Sequence, residues 1–473
     1  MNNYIMRLAV GCMLAVSVLT VSQGVCAPNG NDYFKAWTNG LPTDPSTFPI
    51  AVWLQSPNRA QSYKDIGINL YIGLWDGPTE SQLNQLQAVG MPVICNQNTF
   101  ALTHLAQYQG TIVGWMYLDE PDNAQKWAGS DEWGRCYLPG ELVAIYDDIV
   151  ANDATRPVYL NFGQGVVQGT GYLGRWYLDE EHLGPGNDYS GENYAKYYTE
   201  ASEAADILSF DIYPVASGYN NLWYVGEGIA NLKSWAAQEM PTWCWIETTR
   251  ISGTVKPTPA QVRAEVWMAI IHGATGIGYF CHEFNPAFNE DALLDDSDMR
   301  DGVDAINQEV QGYAPVINSR VVDSNLSVGV TTNGDAEVKA LMKWHLGYFY
   351  LFSICLRDEP VQATFSITGL DDPGATAEVL NEGRTIALNG GLFTDAFNGY
   401  GIHIYRIPHT FIMPGDVNLD YTVDLTDLIR SLEVMTDSLP AGEADKAADV
   451  DNDGRIGLEE AIYILRQIGG LTD

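Results

Sequence analysis

Along the chain, short continuous apolar runs alternate with stretches whose apolar positions recur every three to four residues. The runs lie at 48–54, 68–75, 92–96, 112–120, 157–162, 207–215, 242–247 and 275–282, and each reads as a strand buried on both faces. Helical pattern lies between them. Residues 80–89 are opened by Thr79 and closed by Gly90, and residues 260–272 are opened by Thr258 and Pro259, a cap and a first-turn proline. Eight strands, each followed by a helix or long loop, predict a closed (β/α)8 TIM barrel. The competing arrangement is an open doubly wound sheet, but no Gly-rich phosphate loop follows the first strand.

The pattern changes after a helix near 303–312. Short strand-like segments at 321–330, 336–341, 348–356, 363–368, 377–379, 391–397 and 403–406 are separated by Gly, Asp and Asn turns, as in a small antiparallel β-sandwich. Two apolar helical stretches, 428–435 and 461–465, close the chain, each after an acidic loop. The expected division is a signal peptide at 1–27, a barrel at 28–317, a sandwich at 318–408 and an all-α, EF-hand-like module at 409–473.

Composition narrows the partners. The 473 residues are 46% hydrophobic and 18% charged, enough apolar content to bury a large core. A net charge of −36 argues against nucleic acid or an anionic membrane, both of which need a basic surface. At the N-terminus Arg7 precedes an apolar run, 8–19, and then Val25-Cys26-Ala27, which reads as a secretory signal and predicts an extracellular protein. The run is short for a bilayer span, and no later stretch is longer, so no membrane insertion is expected. Beyond the leader, Cys95, Cys136, Cys244, Cys281 and Cys355 are odd in number and form no disulfide framework. Cys95, Cys244 and Cys281 fall within strands, as small core residues do.

The strand ends carry the chemistry. Carboxyl ends of barrel strands are where such folds build active sites. Here they present Trp53, Trp75, Asn96, Asp119, Glu120, Asn161, Asp211, Tyr213, Trp245, Glu247, His282 and Glu283. The long segment 163–205 adds Trp176 and many tyrosines as an expected cleft wall. Aromatic faces suit the C–H faces of pyranoses, and fixed amides and acids suit their hydroxyls, so an oligo- or polysaccharide is the expected ligand. Glycoside hydrolysis needs a proton donor and a second carboxylate. Glu120 and Glu247, three strands apart in a closed barrel, are the candidate catalytic pair. Trp53, Trp75, Asn96, Asp119, Asn161, Trp176, Asp211, Tyr213, Trp245, His282 and Glu283 are the candidate binding residues. His282-Glu283 lacks the spacing of a catalytic metal motif, and no cofactor is expected for catalysis.

Three stretches, Gly114-Trp115 through Asp119-Glu120-Pro121, Asp211-Ile212-Tyr213-Pro214 and Ile246-Glu247, resemble the clan of retaining glycoside hydrolases with catalytic glutamates on barrel strands four and seven. The resemblance spans roughly 45–310 and implies Glu120 as acid/base, Glu247 as nucleophile, Tyr213 as its hydrogen-bond partner, and a β-linked substrate. The chain departs from that clan at Asp119, where an Asn is usual. Adjacent strand residues face opposite ways, so Asp119 and Glu120 both enter the site only if the strand bulges.

The acidic loops have calcium spacing. Asp449, Asp451, Asp453, Arg455 (through its carbonyl) and Glu460 occupy ligand positions of an EF-hand loop, with Gly454 at the sharp turn. Asp416, Asn418, Asp420, Thr422, Asp424 and Asp427 form a second set, with Tyr421 in place of the glycine. The pair resembles a dockerin, which implies structural Ca2+ and a cohesin-like partner on a scaffold or cell surface. Two other functions remain open: a carbohydrate-binding barrel without catalysis, and a structural calcium-binding surface protein.

Overall fold

The structure, a computed structural model, describes residues 31–126, 133–169, 178–219, 221–237, 239–251, 253–319, 327–368, 370, 374–408, 414–417, 423–436, 438, 448–451 and 453–469. Eight parallel strands close in chain order into a barrel: β1 Ile50–Trp53, β2 Leu70–Ile72, β3 Val93–Asn96, β4 Ile112–Asp119, β5 Val158–Phe162, β6 Ile207–Asp211, β7 Thr242–Glu247 and β8 Gly276–Phe280. β1 pairs with both β2 and β8, which completes the ring. An open doubly wound sheet is thereby excluded.

Several strands are shorter than their apolar runs. β2 stops at Ile72 because Gly73 takes a φ of 81°, and β6 stops at Asp211 because the chain turns at once through Pro214. The capping reading holds in two helices. In α1, Glu80–Val89, Thr79 accepts from the Gln82 amide and Gly90 ends the helix at φ 64°. In α2, Pro259–Ile271, Thr258 caps the Gln261 amide and Pro259 opens the first turn. A third helix, α3 Ser297–Ile317, is longer than its pattern. Its buried Asn307 accepts from the Tyr279 hydroxyl at 2.8 Å and donates to the Ile66 carbonyl at 2.7 Å, tying it to the barrel wall.

The barrel interior is filled by side chains. Ile72, Ile94, Met116, Tyr159, Trp243 and Trp245 are all buried there. The indoles of β7 need room, and the neighbouring strand supplies it with glycine. A Cβ on Gly276 would lie 2.5 Å from the Trp243 ring, and one on Gly278 would lie 2.2 Å from the Trp245 ring. Strand β8 therefore carries Gly-Ile-Gly-Tyr: the glycines face the indoles while Ile277 and Tyr279 join the sheet–helix core.

Beyond the barrel lie two antiparallel sheets, built from β9 Ser327–Thr332, β10 Val338–His345, β11 Tyr348–Cys355, β12 Val361–Thr368, β13 Thr376–Val379, β14 Arg384–Ala387, β15 Leu392–Phe397 and β16 Ile402–Pro408. The orders are β10-β11-β16-β13-β14 and β15-β12-β9. Strict alternation in β12 buries Val361, Ala363, Phe365 and Ile367 between the sheets, as a sandwich requires. Strand β14 has no counterpart in the sequence reading: it is a four-residue edge strand with little apolar content. The part of the expected first strand at 321–326 lies outside the described residues. The larger sheet packs on the barrel, where Trp267 of α2 stacks on Phe352 of β11 at 5.4 Å.

Two further helices, α4 Leu425–Met435 and α5 Leu458–Ile468, follow the acidic loops. All five described cysteines are unpaired and buried. Among the described residues, no helix is long and apolar enough to cross a membrane.

Gly278→Ala drives a methyl group into the Trp245 ring. The expected cost is about 1–3 kcal/mol, read as a lower midpoint of chemical denaturation with unchanged slope.

Candidate active site

The fourth strand delivers its acids through a break in regularity. The β4–β5 register shifts between Met116 and Asp119, and Glu120 adopts a left-handed φ of 45°. A non-glycine residue held there is uncommon and marks a constrained position. At this bulge Asp119 lies close enough for its charge to raise Glu120. Glu120 is anchored by its own backbone: its N–H donates to the Asn161 carbonyl at 3.0 Å, and its carbonyl accepts from Gln125 at 3.1 Å. Its carboxylate lies against Gly163 and Asn123, and a Cβ at Gly163 would meet Glu120 Oε1 at 3.0 Å. Asp122 pins the same turn. Its two oxygens accept from the Gly163 N–H and the Tyr198 hydroxyl, each at 2.8 Å.

Strand β6 brings the second acid. Asp211 shares a side-chain hydrogen bond with Glu120, and the Tyr213 hydroxyl donates to Asp211 Oδ2 at 3.1 Å. Asp119 is open to water, while Glu120 and Asp211 are partly covered. Water reaches all three from the mouth, but protein surrounds them on the other sides. That desolvation, followed by the Asp119 charge, pushes Glu120 up to about 7. Burial, followed by the charges of Glu120 and Asp119, drives Asp211 well above the usual carboxylate range. Both shifts favour the protonated form in this pair, and the two acids titrate together.

A one-way chain of hydrogen bonds ends on Asp119. Trp245 Nε1 donates to the Tyr159 hydroxyl at 2.8 Å, Tyr159 bonds Ser209, Ser209 donates to Asn161 Oδ1 at 2.6 Å, and Asn161 Nδ2 donates to Asp119 Oδ1 at 3.0 Å. This last bond favours the ionised form of Asp119, against the larger effect of burial, which raises it.

Glu247 stands elsewhere. It was expected across the mouth from Glu120, but it is fully buried. Its two oxygens accept from the Val215 and Ala216 amides, each at 2.6 Å. Its other partner is Glu265 of α2, itself fully buried. Among the described residues, Glu265 and these two amides are the groups that act on the Glu247 carboxyl. The strand-seven acid faces the layer between sheet and helix because a carboxylate without water needs donors, and the turn after β6 offers two.

The remaining candidates divide. Asp119, Asn161, Asp211 and Tyr213 meet around Glu120. Trp53 and Trp245 lie inside the barrel, edge to face at 5.0 Å, and serve its core rather than the mouth. Asn96 donates to the Tyr117 carbonyl at 3.1 Å, so its amide supports β4. Trp75 is 44% exposed and stacks on the buried His282 at 5.6 Å. Its indole N–H donates to Glu290 at 3.0 Å, leaving a ring face to solvent beside the exposed Phe288. Glu283 is paired with Arg250 at 2.8 Å. Trp176 lies outside the described residues. The sequence reading missed Tyr159, Ser209, Asp122 and Glu265. A signal existed for the first two: each lies two positions before a strand-end polar residue and so shares its face.

Among the described residues of the acidic tail, carboxylates accept from backbone amides of the loops. Asp449, Asp451 and Asp453 bring oxygens within 4.8 Å of one another, and Gly454 turns at φ 80° to donate to Asp449 at 2.6 Å. The Arg455 amide donates to Asp453 at 2.8 Å. Glu460 accepts from the Val450 and Gly457 amides at 3.0 and 2.5 Å. Asp427 does the same in the first loop, from Val417 and Asp424 at 2.8 and 2.9 Å. Asp416 is buried. Asn418, Asp420 and Thr422 lie outside the described residues. Clustered oxygens of this kind suit a hard cation.

Compared with family models and curated protein sequences, the chain matches none. Solved structures with a similar chain path include a GH42 β-galactosidase, Gan42B, from G. stearothermophilus, at 8% identity and a TM-score of 0.47 over 77% of this chain and 98% of that one. AmyP, solved in complex with maltose, is 8% identical with a TM-score of 0.44 over 78% of this chain and 98% of that one. A GH30 endoxylanase from Clostridium papyrosolvens is 11% identical with a TM-score of 0.38 over 77% and 96%. This likeness is one of architecture, and the chemistry rests on the site itself.

The raised Glu120 carboxyl has a pH signature. The folded chain keeps a proton that the unfolded chain releases from pH 4.5 upward, so this contribution to stability is full below pH 4.5 and is lost as pH rises to about 7. Thermal unfolding of wild type and Glu120→Gln across that window is expected to show a shallower decline for the variant.

Proposed function

We propose that the protein is a secreted glycoside hydrolase that cleaves β-linked oligo- or polysaccharides at the mouth of its barrel. The observation that carries this reading is the cluster of Asp119, Glu120 and Asp211 at the barrel mouth, where burial and neighbouring charge favour a protonated acid beside other carboxyls. Glycoside hydrolysis needs that combination. In this proposal Glu120, recharged by the more enclosed Asp211, protonates the leaving oxygen. Asp119, oriented by Asn161, is the ionised carboxylate that faces the sugar's developing positive charge. The burial of Glu247 supports giving the second role to Asp119. The exposed ring face of Trp75 supports sugar stacking at the rim. A double displacement with retention is the proposed course, with Asp119 forming the covalent intermediate and Glu120 returning as base for water.

A reducing-end assay on a panel of β-glycans tests this. Glu120→Gln and Asp119→Asn are each expected to lose roughly 100- to 10,000-fold in kcat while remaining folded. Wild-type turnover in both variants would sink the assignment. Proton NMR of the first product distinguishes a retained from an inverted anomer. The burial of Glu247 also favours a second reading, a sugar-binding barrel without hydrolysis. Glycan binding with no new reducing ends, unaltered by Glu120→Gln, would establish it.

We further propose that the tail is a dockerin-like module that binds structural Ca2+ and docks onto a cohesin-like partner. The matched roles of Asp427 and Glu460 support two equivalent loops. Leu425, Ile429 and Leu432 on α4 and Leu458, Ile462 and Leu465 on α5 are exposed, which supports an apolar docking face. Chelation is expected to lower helical circular dichroism, with recovery on adding Ca2+. An unchanged spectrum excludes calcium-dependent folding of the tail.

A further inference from the structure

We propose that Glu247 is a positioning residue that clamps the turn carrying Asp211 and Tyr213, and that Glu265 completes the clamp as its hydrogen-bond donor. The inference rests on the reading of the acid cluster as the catalytic site.

The turn creates the need. After Asp211 the chain leaves the sheet and winds back on itself: Ser217 N–H donates to the Tyr213 carbonyl at 3.0 Å, Gly218 N–H to Val215 at 2.9 Å, and Tyr219 N–H to Pro214 at 3.0 Å. The amides at the start of this turn donate to a side chain, as the first amides of a capped helix do. Those amides belong to Val215 and Ala216, and Val215 and Ala216 are buried. A buried unpaired amide costs about 1–3 kcal/mol. One planar carboxylate answers both, one oxygen to each. Glutamine offers one acceptor and one clashing donor, and aspartate is one methylene shorter.

The clamp is built for an ion in a place without water. Glu265 projects from α2 into the same layer, and among the described residues no N–H or O–H donor reaches its oxygens. Burial, followed by the Glu247 charge, raises Glu265 well above the usual carboxylate range, which favours the protonated form that donates to Glu247 in this proposal. The other titratable groups acting in this layer are neutral ones: the Cys244 thiol on β7 and the Tyr400 phenol from the sandwich. Burial pushes Glu247 up to about 7 against the lowering effect of its amides and Glu265. The held turn in turn orients the site. Tyr213 donates to Asp211 and packs its ring on Phe280 at 5.2 Å, so a displaced turn moves the partner of Glu120.

Glu247→Gln and Glu265→Gln separate the roles, because a glutamine at 265 still donates to Glu247 whereas one at 247 opposes an N–H with an NH2. For Glu247→Gln the expected result is a roughly 10- to 100-fold lower kcat with KM little changed, and a displaced alkaline limb of the pH–rate profile. Glu265→Gln is expected to keep wild-type kcat and to lose part of the stability decline between pH 4.5 and about 7. Wild-type kcat and pH profile in Glu247→Gln would overturn the proposal. Hydrogen exchange at the Val215 and Ala216 amides reads the clamp without any substrate. Slow exchange in wild type and Glu265→Gln, with faster exchange in Glu247→Gln, is expected even if the protein proves not to be a hydrolase. Equal exchange in all three proteins refutes the clamp by itself.

Discussion

A single chain of hydrogen bonds connects the packed interior of the barrel to the acids at its mouth. It starts at the indole of Trp245, passes through Tyr159, Ser209 and Asn161, and ends on Asp119. Every link donates in the same direction, so each bond polarises the next. The chain exists because β8 yields space. Gly278 admits the Trp245 ring, the ring fixes Tyr159, and the polar residues of β5 and β6 follow in register. Core packing and site geometry are therefore one problem in this barrel, and a change of a single methyl group at position 278 reaches the carboxylate four hydrogen bonds away.

The second theme is how an acidic chain keeps carboxyls inside itself. Isolated buried carboxylates are costly, and the usual relief is a cation. Asp153 takes that relief from the buried Arg156 at 2.7 Å, whereas the acids at the ends of β4, β6 and β7 rely on backbone amides, hydroxyls and neighbouring carboxyls. Glu120 pairs with Asp211, and Glu247 pairs with Glu265. Asp122 uses an amide and a tyrosine hydroxyl. One pair sits at the mouth, within reach of water. The other sits under the wall and can only hold structure. The same chemistry thus serves two purposes, separated by access to water.

The tail repeats the device at the surface. Asp427 and Glu460 each accept from two backbone amides at the two ends of their loops. Neighbouring aspartates converge where a cation would lie, and the helices behind turn apolar residues outward. The uncovered apolar stripes on these helices are what the proposed docking of the tail would use.

The chain's own periodicity determined most of the architecture. Eight apolar runs, the caps at Thr79 and Thr258, and the alternating segments after the barrel are local signals, and local physics decides helix, strand and turn. Asp119 and Glu120 were legible for the same reason, as acids at the end of a buried strand. The edge strand β14 was not legible, because four weakly apolar residues acquire strand geometry only from their neighbour. Nor could sequence say which way Glu247 points. At the end of β7 it can turn to the mouth or to the helix layer, and what decides is whether donors wait there. The Val215 and Ala216 amides come from another strand's turn and Glu265 comes from the next helix, so only the tertiary structure brings them together. Trp53 and Trp245 were uncertain for a related reason: strand position places an indole on the inner face, but only closure of the barrel determines whether that face is core or mouth.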